Sequence, residues 1–299
     1  MKNIKTATIV ILTSFLTLSC STDNGDTLND IYLDIPDSHF ETILIEQGID
    51  SDGIVNKLML KSDAKKVNKL DLNLSTHFGE IADLTGIEGF YNISFLSAAG
   101  QNIKTIDLSF NTKLDTLYLN GNQLTSLDVS HNSNLILLDA QSNELNSILG
   151  LSKLNTLHHV NLSFNNFEEI SIKNESIQIL YISHNLLKSI DTKGAPNLKN
   201  LFIIINQLSA ADFSLNTQLE TLVISGNKLE SVKLDQNASL THLYSSSNLL
   251  TSLDVSNNAQ LIDLRVDRNP ELTCIKIENG QNIPTVSLSD YQNLNTWCN

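Results

Sequence analysis

Leu114-Asp-Thr-Leu117-Tyr-Leu119-Asn-Gly-Asn122-Gln-Leu124-Thr-Ser-Leu127-Asp-Val129-Ser130 is one copy of a unit written repeatedly along this chain. Its fixed positions read Leu-x-x-Leu-x-Leu-x-x-Asn-x-Leu-x-x-Leu-x-Val. The Asn position recurs as Gln101, Asn122, Asn143, Asn165, Asn185, Asn206, Asn227, Asn248 and Asn269, at gaps of 21, 21, 22, 20, 21, 21, 21 and 21 residues. Within the unit, Leu117 and Leu119 alternate as strand residues do, which places both on one face. Leu138 and Ala140, Val160 and Leu162, Leu180 and Ile182, and Leu201 and Ile203 hold the same places, followed by Leu222 and Ile224, Leu243 and Ser245, and Leu264 and Val266.

A fixed period in this range with this apolar pattern is the signature of a leucine-rich-repeat solenoid. The expected fold is a right-handed, predominantly β solenoid of about nine 21-residue repeats, with a parallel concave sheet. A 21-residue period leaves no room for a long helix on the back of each coil, so Leu124 to Ser130 and Leu250 to Ser256 are expected to be extended or turned. An amide both donates and accepts, so a buried Asn column can satisfy backbone groups of successive coils. Asn-to-Leu substitution there is expected to cost ~1–3 kcal/mol. At Asn269 the pattern slips by one residue, marking the last regular rung.

A solenoid exposes core at both ends and needs caps. At the start, Ser38 with Glu41 three residues on reads as a capping box opening a helix to about Gln47, with Phe40, Ile43 and Leu44 buried. At the finish, Val286, Leu288, Tyr291 and Trp297 are expected to supply the apolar area of a C-terminal cap. The resulting division is residues 1–19 signal, 20–30 tether, 31–89 N-terminal cap and first irregular coil, 90–277 repeats, and 278–299 C-terminal cap.

Lys2 and Lys5 precede an apolar stretch from Ala7 to Leu18, too short to span a bilayer comfortably and of signal-peptide form. It closes Thr17-Leu18-Ser19-Cys20, which resembles a bacterial lipobox with Thr17 where Leu is usual; Cys20 would carry the lipid. The alternative is an ordinary secretory signal with a chance cysteine. The two remaining cysteines, Cys274 and Cys298, suggest a disulfide in an exported chain. It would close about 25 residues and contribute roughly 3 kcal/mol in the chain-entropy view; two buried thiols are the alternative. Nineteen Lys and Arg against 33 Asp and Glu give a net charge of −14. That balance repels nucleic acid and anionic lipid.

The residue between the two inward positions must face outward on the concave sheet. Down the repeats it is Ser97, Tyr118, Asp139, Asn161, Tyr181, Phe202, Val223, Tyr244 and Arg265. Two residues earlier the column includes His159 and His242; two residues later it includes Ile204. Tyr118, His159, Tyr181, Phe202, Ile204, Val223, His242 and Tyr244 are therefore the candidate partner-binding residues. An outward aromatic stripe bordered by Ser, Asn and His side chains matches the composition of an interface core. Strand propensity alone also favours Tyr, Phe and Val, so an unselected stripe is the alternative.

The chain resembles the secreted leucine-rich-repeat proteins of Gram-negative bacterial surfaces, broadly internalin-like. The resemblance rests on Ile35-Pro-Asp with Phe40 and Gly48-Ile-Asp50, on Asp83-Leu-Thr-Gly-Ile-Glu88, on the Leu-Thr-Ser-Leu-Asp-Val-Ser repeats, and on Asn269-Pro-Glu-Leu-Thr-Cys274-Ile. It implies a scaffold for binding, with a lipid on Cys20 as the anchor at the outer membrane or cell surface. In such relatives an acidic calcium loop can follow the first helix. Here Asp50-Ser-Asp52-Gly53 would put Gly48 and Met59 at the first and twelfth ligand places, neither a side-chain oxygen donor, so a turn is expected and no metal. No Gly-rich phosphate loop, Cys-x-x-Cys or His-Glu-x-x-His is present. His158 and His159 point to opposite strand faces. The expected function is non-enzymatic recognition or adhesion through a protein partner, without cofactor; glycan capture and a structural envelope role are the alternatives.

Overall fold

The computed structural model describes residues 31–73 and 77–298. The expected signal, the tether and the Cys20 lipid site lie outside the described residues. Each repeat forms one coil, and the coils stack in strict sequence order. Their first strands build an eleven-stranded parallel sheet running from Lys69–Asp71 to Thr285–Ser287. The nine regular repeats are thus joined by one strand from the irregular first coil and one from the C-terminal cap. Among the described residues the two α-helices, Ser38–Glu46 and Lys61–Ala64, both precede the repeats. The back of the stack carries short parallel pairs instead, such as Ser126–Asp128 with Ser147–Leu149.

The register follows the spacing. Leu117 pairs with Leu138, Val160 follows one residue late, and Leu180 then restores the frame. The extra residue is absorbed by a 3-10 turn, Leu151–Lys153, entered through Gly150 at φ 91°. A Cβ at Gly150 would lie 2.3 Å from the Ser130 backbone nitrogen, so glycine is required there. The inward side chains, Leu117 and Leu119 among them, are fully buried and form one continuous core from Leu33 to Ile283.

The Asn column works as a two-way bridge. Asn143 Nδ2 donates to the Leu119 carbonyl of the previous coil at 2.9 Å, and its Oδ1 accepts the Leu124 N–H at 3.0 Å. Asn227 repeats this with Ile203 and Ile224 carbonyls at 2.8 and 3.0 Å and the Leu208 N–H at 3.2 Å. Gln101 opens the column by accepting from Ile81 N–H and donating to Leu72 O.

A second column, which the repeat reading did not pick out, runs along the other side of the coil. Asn111, Asn132, Asn174, Asn216, Asn237 and Asn258 are buried, and each donates to carbonyls of the previous coil. This column only donates in most coils: Oδ1 of Asn111, Asn132, Asn237 and Asn258 has no partner. In the last coil glutamine replaces asparagine in both columns. Gln281 reaches the Val255 and Asn258 carbonyls, and Gln292 reaches Val266.

At the N-terminal end the helix lies where expected, with Phe40, Ile43 and Leu44 fully buried. The capping box is corrected. Asp37, not Ser38, caps the helix by accepting the His39 and Phe40 N–H groups. Glu41 instead turns inward and accepts the Asn56 and Lys57 N–H groups at 2.9 and 3.0 Å. The long-range partners win because Glu41 is fully buried and those two amides would otherwise be orphaned.

At the C-terminal end the one-residue slip is present, since Leu253 pairs with Ile275. The stack does not stop there. Thr285–Ser287 and Asn293–Asn295 add one more coil, pairing with Asp263–Arg265 and Cys274–Lys276. Cys274 and Cys298 are disulfide-bonded with Cα atoms 5.7 Å apart, so the cap is pinned as expected. Of the residues expected to supply its apolar area, Leu288 packs against the core, whereas the other three are corrected: Val286 is 37 %, Tyr291 47 % and Trp297 85 % exposed. Among the described residues no further coil covers them. Reduction is expected to release this terminal coil first and lower the melting temperature by several degrees, as a loss of about 3 kcal/mol implies for a chain of this size. Thermal melts with and without reductant measure this directly; identical curves would leave the bridge without a stabilising role.

Candidate functional site

Strand pairing brings His159, Tyr181, Phe202, Val223 and Tyr244 onto consecutive rungs of the concave sheet. Rungs at strand spacing place ring next to ring. Tyr181 and Phe202 lie face to face, centroids 4.5 Å apart and planes 9° from parallel, and His159 extends the row at 5.4 Å from Tyr181. Val223 closes it but is only 6 % exposed beside its larger neighbours. Ile204 is half-buried, and its N–H donates to Ser183 Oγ at 3.0 Å.

The ends of the stripe differ from the middle. Tyr244 is already engaged: its hydroxyl donates to Asp263 at 2.7 Å and the Arg265 guanidinium lies 4.3 Å over its ring. Hydrogen bonds from Arg265, and then from Tyr244, hold the Asp263 carboxyl below the usual range. His242 meets Tyr244 edge-on at 6.3 Å and belongs to this polar cluster. Tyr118 is separated from the middle by the rungs of Asp139 and Asn161 and pairs with Phe95 at 5.8 Å. Burial pushes the Asp139 carboxyl up, against hydrogen bonds from the Gln141 backbone and Asn161.

A second stripe borders the first. The residue immediately before each ladder position adopts the left-handed conformation in all nine repeats. Gly100, Gly121 and Gly226 hold it at φ 67°, 71° and 70°, and Ser142, Phe164, His184, Ile205, Ser247 and Arg268 at φ between 53° and 56°. Glycine suits such a position, whereas a β-branched residue is a steric outlier there. Three successive rungs nevertheless carry Phe164, His184 and Ile205. Phe164 and His184 stack at 4.2 Å with planes 7° apart, and Phe164 and Ile205 are 50 % and 52 % exposed. A Cβ at Gly226 would come within 3.1 Å of Ile205 Cγ1, so the glycine of the next rung leaves room for that side chain.

Together the two stripes make one surface. No Asp, Glu, Lys or Arg occurs in residues 159–167, 178–187, 200–207 or 221–227, although the chain as a whole carries 52 charged side chains, 19 basic and 33 acidic. In the sequence Ile205 stands out only as an apolar neighbour of Phe202 and Ile204, and nothing distinguishes Phe164 or His184. The available signal was the glycine preceding three of the ladder positions, which marks a left-handed turn. Among the described residues no group of His, Cys, Asp or Glu is arranged to hold a metal ion, and no helix is long and apolar enough to cross a membrane.

No protein-family model and no curated protein matches the chain. Solved structures with a similar course of the backbone do. An internalin from Listeria monocytogenes aligns over 91 % of this chain and 97 % of its own, at 18 % identity and TM-score 0.51. Internalin C2 of the same organism aligns over 88 % and 96 %, at 21 % identity and TM-score 0.54. The Toll–Spatzle complex of Drosophila matches 76 % of this chain and 32 % of that chain, at 17 % identity and TM-score 0.59. At these identities the likeness is one of fold: this chain is a leucine-rich-repeat solenoid of the internalin type.

Proposed function

We propose that the protein is a non-enzymatic recognition module, exported and held at the cell surface by a lipid on Cys20, which binds a protein partner on the concave sheet. The observation that carries the reading is the uncharged double stripe, Tyr181 and Phe202 beside Phe164, His184 and Ile205. Left-handed backbone at a non-glycine residue costs roughly 1–3 kcal/mol, and such outliers cluster at functional surfaces. An uncharged aromatic centre with polar surroundings is the composition of an interface core. Internalins and Toll supply the precedent of fold; Toll is seen in complex with Spatzle.

Glycan capture fits less well. A sugar stacks on a free ring face, but Tyr181 and Phe202 turn their faces toward each other and present edges outward. The test is to pan the protein against displayed extracellular proteins and against a glycan array. A Tyr181→Ala, Phe202→Ala, Ile205→Gly variant is expected to lose the protein partner at least tenfold while staying folded. Ile205→Gly alone should raise stability by ~1 kcal/mol, because relief of the left-handed strain outweighs the added chain entropy. Partner binding unchanged in the triple variant, or binding to glycans alone, would overturn the proposal.

A further inference from the structure

The two ends of the solenoid are finished differently. At the N-terminal end the helix Ser38–Glu46 and the antiparallel pair Tyr32–Asp34 with Leu58–Leu60 adjoin the first coil, and Leu33, Phe40, Ile43, Leu44 and Met59 from these elements are buried in the core. At the C-terminal end, strand Thr285–Ser287 is the outermost of the concave sheet and Asn293–Asn295 the outermost of the sheet behind it. All three residues of Thr285–Ser287 are exposed. Thr285 N–H donates inward to Ile262 O and Ser287 O accepts inward from Val266 N–H. The N–H and C=O of Val286 therefore point away from the stack, as those of Leu294 do in the strand behind, where Asn293 and Asn295 make the inward bonds.

We propose that this end is a self-association surface that takes the same end of a second copy of the chain. An open strand edge is a template for pairing, and proteins usually guard such edges with lysine, bulges or proline. Residues 279–299 contain no lysine or arginine and a single charged side chain, Asp290. Pro284 stands just before the strand and leaves the Val286 donor free. Between two chains of net charge −14, repulsion is weakest where charge is absent. Val286, Tyr291 and Trp297 are each exposed in this last coil and provide apolar area of the kind that the next coil covers within the stack.

Geometry selects the arrangement. A two-fold axis running from the concave to the convex side reverses strand direction yet keeps each strand on its own side. Thr285–Ser287 then meets its copy antiparallel, and Asn293–Asn295 does the same behind it. The concave sheet continues through the junction, and the two aromatic stripes face the same way. This inference stands independently of what the stripes bind.

The test is sedimentation velocity and small-angle scattering on the mature chain carrying Cys20→Ser, so that no acyl chain contributes. A concentration-dependent dimer of twice the monomer length is expected. Val286→Lys with Trp297→Glu should return it to a monomer whose melting temperature and disulfide, checked by mass, are unchanged. Trp297 fluorescence should shift to the blue on dimerisation. A monomer at every concentration up to about 0.1 mM, an affinity near 5 kcal/mol, would overturn the proposal. A dimer that survives both substitutions would do so equally.

Discussion

Asn227→Leu is expected to lower the unfolding free energy by more than about 3 kcal/mol, and Asn237→Leu in the same coil by clearly less. The first loss exceeds the ~1–3 kcal/mol expected from sequence because three backbone groups lose their partner. The two side chains are equally chosen for burial, but they do different work. Asn227 donates to the Ile203 and Ile224 carbonyls and accepts the Leu208 N–H, so leucine orphans two acceptors and a donor in a dry core. Asn237 only donates, to Phe213 and Asn216 at 3.1 and 2.8 Å, and its Oδ1 is itself without a partner. Removing that orphan oxygen offsets part of the loss. Urea denaturation of the two variants decides the matter, and equal losses would show that the accepted N–H contributes little. Because each coil contacts only its neighbours, the damage should also divide the stack into two cooperative blocks.

Asp50→Asn is expected to stabilise the N-terminal cap at pH 7 by up to about 3 kcal/mol, the free energy of a shift from 3.8 to about 6. Burial is the first cause of the raised value, followed by the charges of Asp52, Glu41 and Asp63, against a hydrogen bond from the Asp52 N–H. Asp50 is buried, and its Oδ2 has no partner. Lys66 is the nearby cation, but it is paired with Asp63 at 2.9 Å. The folded state therefore holds this proton more tightly than the unfolded chain. Stability from this group is full below pH ~4, falls as pH rises from ~4 to ~6, and the penalty is complete above that. The advantage of the asparagine variant should accordingly vanish below pH ~4. An advantage that did not change with pH would mean that the charge on Asp50 is not what destabilises the cap.

Much of the scaffold was legible because the rule behind it is local and repeated. The period, the inward pairs and the ladder asparagines follow from strand alternation and from the need to satisfy backbone amides. The second asparagine column has the same period, but Lys153 and Ala195 interrupt it. Its members sit in polar turns where asparagine is common in any case. The helix cap was misassigned because Asp37 and Ser38 are both competent caps. Asp37 prevails because its second oxygen also accepts the Ala82 and Asp83 N–H groups, 45 and 46 residues away.

The candidate site was legible by half. Alternation placed Tyr181, Phe202 and Tyr244 on one face, but it could not tell that Tyr244 is tied to Asp263 and Arg265 or that Val223 is shielded. Those depend on distances across rungs. The bordering stripe of Phe164, His184 and Ile205 depends on a backbone conformation that glycine usually announces and these three residues do not.

By itself, the sequence determined the repeat and the face on which each side chain lies, since periodicity fixes direction in a strand; it only suggested the cysteine pairing, which the structure supplies. Only the tertiary structure decided which outward residues touch, which turns are left-handed, and that Val286, Tyr291 and Trp297 stay uncovered. Those outcomes arise between coils far apart in sequence, where stacking selects conformations that no single repeat encodes.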